Sequence, residues 1–475
     1  MGLRAIRIGE ARAGNKRDTS LPAKKPSTKI KRMTHKICLL LALVGLSGLF
    51  GRSAGGQAGP TEIAKWQSGK RAAVSLTFDD GSINQFRVAV PIMDGLGLPA
   101  TFHIITGEIS GSQYHGAFIG RSTSTIIRET TDVPTGKANF FERASAIGHL
   151  GLRGTLEYHS RAGELYEDGK FEEACKLIDE AYAKVRQGAF PPEAESKVPA
   201  ARSNTLTWDD LNALAKQGYE FSSHTVTHPR LAVLDEANLV YELEKSREDI
   251  LNHLGPKQTF TVECPYGTED ERVMKYALAL YPASRNRLPE PFLEELNRWS
   301  EKDPAASAKE YVQWQRGVLA ETPMRVMKGW IDTIASRDNI WLVLVFHGLD
   351  GIGWEPKTGA ELKEYFSYIK SKENRVWVAT FQDATKYLRE RKHGRVQISK
   401  KDDAIEVTLR HDLEETIYDL PLTLKTYVPG SWSFVDVRQG IRVTRTQALR
   451  DEQGGYVLYQ AVPNAESVTL SKAGT

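Results

Sequence analysis

The chain is poor in cysteine and has no hydrophobic run long enough to cross a bilayer. It has three cysteines among 475 residues, and they lack the spacing of a zinc finger. This excludes a small scaffold held together by disulfides. Cys175 and Cys264 are interpreted as small core residues, and one bridge between them stays an open alternative. The apolar run Ile37–Phe50 has 14 residues, whereas a membrane-spanning helix needs about 20.

Neither sign of charge dominates the chain, which has 63 basic and 60 acidic residues. Positions 1–58 hold 12 of the basic residues and 2 of the acidic ones, so the rest of the chain has 51 basic and 58 acidic residues. The excess of positive charge therefore belongs to the N-terminal segment. Because the remainder carries a small net negative charge, we expect no nucleic-acid partner.

The first 58 residues have the three parts of a secretory signal. A basic segment precedes the apolar run, and the small residues Ser53–Ala58 follow it. This pattern predicts a cleaved leader over residues 1–58. It also predicts a secreted or periplasmic protein without a stable membrane span in its mature chain. An uncleaved N-terminal anchor is the alternative.

The remaining length favours two folded units rather than one. In the larger unit, residues 59–392, β-rich runs alternate with helical patterns, which indicates an α/β fold with a parallel sheet. Its seven predicted strands are Ala72–Phe78, Ala100–Ile105, Tyr219–Ser223, Thr259–Glu263, Leu278–Ala283, Trp341–Phe346 and Arg375–Thr380. In α/β barrels the functional residues lie at the carboxyl ends of the strands.

Two segments depart from the alternating pattern. Residues 107–204 form an insertion that is first rich in loop residues and then helical. We expect it to pack on the barrel rim, and shaping of the substrate cleft is the alternative. Residues 395–475 contain short strands separated by glycine, proline and aspartate turns, which predict a small β-sandwich.

Three motifs place candidate functional residues at predicted strand ends. Asp79 and Asp80 follow the first strand, His224 and His228 follow the third, and His347 follows the sixth. A catalytic zinc site takes imidazole and carboxylate ligands and keeps a position open for water. Asp80, His224 and His228 are therefore candidate metal ligands. The four-residue spacing of the histidines predicts that both imidazoles lie on one face of a helical turn.

The motifs TFDDG (Thr77–Gly81) and HTVTH (His224–His228), followed by His347 at a strand end, resemble those of one enzyme family. This family is the NodB-homology polysaccharide deacetylases, carbohydrate esterase family four. The resemblance extends over Ala72–Leu388. It implies a distorted (β/α) barrel of about seven strands. It also implies an enzyme that removes N-acetyl or O-acetyl groups from an acetylated polysaccharide or oligosaccharide.

The resemblance also implies roles for single residues. Asp80, His224 and His228 would hold a divalent metal ion, for which we expect zinc, with cobalt or nickel as alternatives. Asp79 would be the general base, and the backbone N–H of Tyr266 would donate to the developing oxyanion.

Two further candidates lie at the end of the sixth predicted strand. An imidazole suits proton transfer to the leaving group near neutral pH, so His347 is the candidate acid. Trp354, in the loop after His347, is a candidate platform for a sugar ring. The alternative function is that of a non-catalytic carbohydrate-binding protein on the same barrel.

One block departs from the family pattern. Members usually read Arg-x-Pro-Tyr where this chain has Glu263-Cys264-Pro265-Tyr266. A glutamate there would repel Asp79, because two carboxylates that share a site cannot both ionise cheaply. Arg285 follows the next predicted strand, and we hypothesise that its guanidinium bridges Asp79 and Glu263. The alternative is a solvated Arg285, with Glu263 turned away from the site.

Overall fold

The computed structural model describes residues 59–192, 206–267, 269–401 and 403–474. The predicted leader, residues 1–58, and the end of the predicted insertion, residues 193–204, lie outside this part of the chain. Within it, no helix combines the length and the apolar character that a membrane crossing requires.

The strands are mostly short. They are β1 (Thr61–Ile63), β2 (Ala72–Phe78), β3 (Thr101–Ile104), β4 (Glu220–Ser223), β5 (Thr261–Val262), β6 (Ala283–Ser284), β7 (Leu293–Leu296), β8 (Tyr311–Gly317), β9 (Ile340–Phe346), β10 (Val376–Val378), β11 (Arg395–Lys401), β12 (Ala404–Arg410), β13 (Leu422–Val428), β14 (Phe434–Gln439), β15 (Arg442–Gln447), β16 (Leu449–Asp451), β17 (Gly454–Ala461) and β18 (Val468–Lys472).

The helices lie between the strands that precede β11, and the last of them ends at His393. They are α1 (Val90–Leu96), α2 (Thr123–Glu129), α3 (Phe140–Gly148), α4 (Thr155–Glu167), α5 (Phe171–Arg186), α6 (Trp208–Lys216), α7 (Glu236–Leu254), α8 (Glu271–Leu280), α9 (Met324–Ala335), α10 (Gly359–Ser371) and α11 (Phe381–His393).

Nine parallel strands form the central sheet, in the order β6-β5-β4-β3-β2-β9-β8-β7, with β10 also paired to β2. Helices cover its outer face, so the fold class is the predicted distorted α/β barrel. The register sets the site, because Phe78 lies opposite Phe346 and Ile104 opposite Ser223. The residues that follow these pairs therefore emerge at one end of the barrel.

The strand count differs from the prediction of about seven. The strands β7 and β8 were not predicted, because Gln313 and Gln315 of β8 face inward and are buried. The predicted strand Leu278–Ala283 is wrong over most of its length, since α8 continues to Leu280. A short apolar run fits a buried helix as well as a strand, which explains the error.

The two faces of the central strands enter different cores. Val74 and Leu76 of β2 pack outward against the helices, whereas Ala73 packs inward with Trp341 of β9. Trp66 and Phe381 fill the amino-terminal end of the barrel with the same inner cluster. The opposite end stays open to carry polar residues.

The described part of the insertion is a helical layer with its own core. Phe140, Ile178 and Tyr182 are buried in this core, and Val233 from the barrel side joins them. The backbone N–H of Asp235 donates to Ser145 Oγ at 2.8 Å. The insertion therefore packs against the segment between β4 and α7.

The C-terminal strands form two sheets around one apolar core. One sheet has the order β11-β12-β18-β14-β15, and the other has the order β1-β13-β17-β16. The predicted unit 395–475 thus takes one additional strand, β1, from the N-terminal side. Tyr387 of α11 is buried in the same core, which joins the sheets to the barrel.

Both cysteines of the described residues are buried and unpaired. Cys175 lies in the core of the insertion and Cys264 lies in a separate cluster beside α7 and α8. They act as small core residues, and the bridge that the sequence left open is absent.

Glu220 is buried at the amino-terminal end of the barrel. Its carboxylate accepts hydrogen bonds from Thr101 Oγ1 at 2.7 Å, Thr261 Oγ1 at 2.9 Å and the N–H of Gln382 at 2.9 Å. Burial raises the pKa of Glu220 to about 7, although these donors oppose the shift. The folded state therefore binds a proton that the unfolded state releases between about pH 4.5 and 7.

We predict that Glu220 makes stability fall as pH rises through this range. A raised folded-state pKa stabilises the fold fully below the unfolded value and loses that contribution above the folded one. Relative to Glu220→Gln, wild-type protein should lose roughly 2–3 kcal/mol of unfolding free energy between about pH 4.5 and 7. Urea unfolding at several pH values measures it, with exposed Glu244→Gln as control. A constant difference between wild type and Glu220→Gln would contradict the prediction.

Candidate active site

The two adjacent aspartates leave β2 in different directions. The N–H of Asp79 continues the sheet by donating to the carbonyl of Phe346 at 2.9 Å. Asp80 then has φ 74°, in the left-handed region, and the chain turns. Gln85 Nε2 donates to the carbonyl of His347 at 2.8 Å and also to that of Asp79. This glutamine, which sequence analysis missed, ties the ends of β2 and β9 together.

The two histidines of HTVTH lie on a loop, and the predicted helical turn is wrong. Residues 224–230, here called the histidine loop, have no helical structure, and Thr225 and His228 have φ of 68° and 62°. The N–H of His228 donates to Thr225 Oγ1 at 3.0 Å. Both imidazoles still face the same side.

A buried glutamate of α7 holds the histidine loop. The Glu242 carboxylate accepts from the N–H of Val226 at 2.8 Å, and from the N–H and hydroxyl of Thr227 at 2.9 and 2.6 Å. His149, just after α3 in the insertion, has its Nε2 3.9 Å from the same carboxylate. Glu242 was missed because its loop partners precede it by 15 and 16 residues. One sequence feature could have indicated it: Glu242 is an acidic residue next to Leu243 on the apolar face of α7.

Asp80, His224 and His228 come together as one cluster whose possible ligand atoms lie within 4.8 Å of one another. Asp80 Oδ1 is 3.6 Å from Nε2 of His224 and 3.4 Å from Nε2 of His228. His224 Nδ1 is hydrogen-bonded to the carbonyl of Glu263 at 2.8 Å, which orients Nε2 toward Asp80. Metal-ligating histidines usually make such a hydrogen bond with the ring nitrogen that does not bind the metal.

The surroundings shift the pKa values of the two imidazoles in opposite directions. Burial lowers the pKa of His224, but the hydrogen bond and charge of Asp80 outweigh it and raise that pKa overall. Burial and the neighbouring His224 lower the pKa of His228 to about 4, which leaves this imidazole neutral. A neutral imidazole has a lone pair free for a metal ion.

Arg285 lies between two buried carboxylates. Its guanidinium donates to both oxygens of Asp79 at 2.6 and 2.7 Å, and lies 2.6 Å from Glu263 Oε1. All three side chains are almost fully buried. Burial alone would raise the pKa of Asp79, but Arg285 and His347 hold it well below its usual range. The structure thus has the contacts that the bridging hypothesis requires.

Further polar groups surround this bridge. Arg285 also donates to Thr77 Oγ1 at 2.9 Å, and Asn286 Nδ2 donates to Glu263 Oε1 at 2.9 Å. Gln315 Nε2 donates to the carbonyl of Arg285 at 3.0 Å, across the gap between the sheet edges. Arg287, by contrast, points away and pairs with Glu271 at the surface.

His347 stands beside Asp79 at the mouth of the barrel. Its Nε2 lies 3.4 Å from Asp79 Oδ2, and its Nδ1 is buried without a hydrogen-bond partner among the described residues. Burial lowers the pKa of His347, and the charge of Asp79 opposes that shift. The Trp354 ring is 49% exposed and packs edge-on against His347, with centroids 4.6 Å apart.

Tyr266 forms the opposite wall. Its φ of 68° is in the left-handed region and its side chain is 39% exposed. The ring lies 4.8 Å from that of His228 and 4.2 Å from the guanidinium of Arg230. Glu164 and Glu167 of α4 pair with this guanidinium at 3.0 and 2.6 Å. The insertion therefore supports one wall of the site, in line with the alternative that it shapes the substrate cleft, although sequence analysis did not single out Arg230.

A family model described as polysaccharide deacetylase matches residues 175–281. The matched segment contains the histidine loop, Glu263 and Tyr266. This segment of the chain is therefore similar to the polysaccharide deacetylase family. A gellan lyase from a Bacillus species is 28% identical over 275 residues, which are 54% of this chain and 11% of the relative. The chain thus spans about a tenth of that relative's length.

Solved structures of similar proteins include carbohydrate esterase domains. The Xyl-CE4 domain of a multidomain xylanase from the hindgut metagenome of Trinervitermes trinervoides is 11% identical (TM-score 0.30; 66% of this chain, 89% of that chain). Family 4 carbohydrate esterases from Streptomyces lividans and Bacillus anthracis are 10% and 13% identical. Both have a TM-score of 0.30, and they cover 65% and 68% of this chain and 93% and 86% of theirs. These identities and TM-scores are low. The description of the fold therefore rests on the strand order and register of this chain.

The bridge predicts very different effects for two neighbouring arginines. Arg285→Ala leaves Asp79 and Glu263 buried without their counter-ion, so we expect a loss of about 3–5 kcal/mol of unfolding free energy. Arg287→Ala removes a partly exposed ion pair, and the loss should be within about 1 kcal/mol. Denaturant unfolding at neutral pH measures both. Equal losses would show that the bridge does not carry this stability.

Proposed function

We propose that the deacetylase domain removes acetyl groups from a polysaccharide by hydrolysis, with the help of a divalent metal ion. The observation that carries the proposal is the convergence of two sets of groups at the barrel mouth. One set is the cluster Asp80, His224 and His228, and the other is the pair Asp79 and His347. Both N-acetyl and O-acetyl substrates fit this chemistry, since they differ only in the leaving group.

The donor set of the cluster fits a metal ion. Two imidazoles and one carboxylate match a three-ligand catalytic zinc site, and cobalt or nickel accept the same ligands. The bond from His224 to the Glu263 carbonyl and the hold of Glu242 on the histidine loop orient the ligands before any ion binds. When bound, such an ion lowers the pKa of a water and polarises a carbonyl.

Asp79 has the protonation state of a base. Because Arg285 holds its pKa well below the usual range, Asp79 is ionised near neutral pH and can accept a proton from the attacking water. The same guanidinium makes the protonated form unfavourable, so Asp79 would not keep the proton. The nearest recipient is His347, whose Nε2 lies 3.4 Å away.

His347 would complete the transfer. Its lowered pKa leaves the imidazole neutral near neutral pH, so it can take the proton and pass it to the departing amine or alkoxide. Activity should then fall as pH drops through this lowered pKa, below the ordinary value of 6.5.

The exposed aromatic groups on either side suit a sugar substrate. Trp354 contacts His347 and Tyr266 contacts His228, so each set of groups has an exposed aromatic neighbour. The backbone N–H of Tyr266 would donate to the oxyanion, and its left-handed φ is a strain typical of functional positions.

The N-terminal sequence pattern supports export of the protein to the periplasm or the medium. Fractionation of cells that express the full chain would test this location.

We predict that chelation abolishes acetate release from acetylated glycans and that added zinc or cobalt restores it. Asp80→Ala, His224→Ala and His228→Ala should each lower bound metal, because each removes one of three ligands. Metal analysis and an acetate assay give the two readouts. If these variants retained full metal and full activity, the ligand assignment would be wrong.

We also predict that substitutions of the proton-transfer pair, Asp79 and His347, affect turnover but not metal binding. Asp79→Asn and His347→Ala should keep metal content near that of wild type and lower turnover by roughly 10²–10⁴-fold. The acid limb of kcat/KM should be absent in His347→Ala. Parallel loss of metal in either variant would place that residue among the ligands. Substrate binding by wild-type protein without acetate release would favour the non-catalytic alternative.

A further inference from the structure

A second concave surface adjoins the candidate active site. A cavity of about 890 Å³, here called the insertion cleft, lies between the α4–α5 turn and the barrel rim. The insertion contributes Glu167 and Phe171, and the rim contributes Gly267, Asn286 and Asn297. Neither the metal cluster nor the proton-transfer pair lines it.

The insertion cleft lies next to one wall of the site. Gly267 directly follows Tyr266, whose ring lies beside His228. Glu167 pairs with Arg230, and the Arg230 guanidinium lies 4.2 Å from the centre of the Tyr266 ring. A glycan that extends past Tyr266 would therefore enter the cleft.

The lining suits a ligand rich in hydroxyl groups. Asn286, Asn297, Glu269, Asp270 and Glu295 all line the cleft with hydrogen-bonding groups. Asn286 Nδ2 is fixed by a bond to Glu269 at 2.7 Å. Sites that combine a few oriented polar groups with aromatic surface are typical of small-molecule recognition.

Two aromatic side chains add to this pattern. Tyr166 and Phe171 of the insertion line the cleft and are partly exposed. A sugar ring has flat apolar faces that such a surface can cover.

The charges of the lining disfavour an acidic sugar. Among the described lining residues, Arg287 is the one basic side chain, and it pairs with Glu271. Burial, together with the charge of Glu263, raises the pKa of Glu269 to about 8. Burial also raises the pKa of Glu295 to about 8. Protonated carboxyls can donate to sugar hydroxyls, whereas a sugar carboxylate would meet more acidic than basic side chains in this lining.

We propose that the insertion cleft is a subsite for an uncharged sugar unit of the glycan, next to the unit that is deacetylated. This inference rests on the proposed function, which it refines by naming the substrate as a chain of several sugars without uronic acids near the cleaved acetyl group. The insertion thereby selects for chain length as well as charge.

The test fills the cleft without altering the catalytic groups. Asn297→Trp places a large side chain at an exposed lining position, and Asn252→Trp makes the same change at an exposed position on α7 outside the cleft. Substrates are single-unit and six-unit N-acetylglucosamine and acetylated xylose, with six-unit acetylated galacturonic acid as the acidic counterpart. For Asn297→Trp we expect KM to rise about tenfold or more on neutral six-unit substrates, with kcat little changed. Single-unit substrates and Asn252→Trp should behave as wild type.

Several results would overturn the subsite. These are equal effects on single-unit and six-unit substrates, no effect of Asn297→Trp, or wild-type preference for the acidic hexamer. Calorimetric binding of the same hexamers to Asp79→Asn, with and without Asn297→Trp, separates the two proposals. Binding that Asn297→Trp weakens supports the subsite even if wild type releases no acetate, and binding that it leaves unchanged refutes the subsite.

Discussion

The arrangement of the site depends on one buried guanidinium between two buried carboxylates. Arg285 pairs with both Asp79 and Glu263, and all three side chains are almost fully buried. Two unpaired carboxylates at this depth would be strongly unfavourable, and one would take up a proton. The planar fork of donors also fixes the direction of the Asp79 carboxylate. The catalytic geometry and the stability of the barrel mouth therefore share one interaction.

The same bridge joins strands that are distant in sequence. It connects the end of β2 to the ends of β5 and β6, and Gln315 of β8 binds the backbone of Arg285 from the far side of the sheet. Among the described residues, β6 and β7 share no backbone pairing, so the bond from Gln315 links the β6 edge of the sheet to β8, next to the other edge. Arg285 therefore contributes both to the candidate active site and to the link between the two ends of the sheet.

The insertion belongs to the site as well as to the surface. Its glutamates hold Arg230 against Tyr266, and its His149 faces Glu242, which supports the histidine loop. Arg230 packs closely against α4 at Gly163. A Cβ atom at this position would lie 2.5 Å from Cδ of Arg230. The left-handed backbone of His228 and Tyr266 is retained because these neighbours enforce it.

The sequence by itself determined which strand ends carry the functional groups. Carboxyl ends of parallel strands meet at one rim, so Asp79, His224 and His347 could be expected together. Arg285 follows the predicted strand that comes after Glu263, and this position suggested that it pairs with Asp79 and Glu263. Tertiary structure alone decided that the histidines lie on a loop, that the glutamine-bearing strand β8 is buried in the central sheet and that the insertion supports a wall of the site. Each of these depends on contacts between side chains far apart in the chain, which local periodicity does not encode.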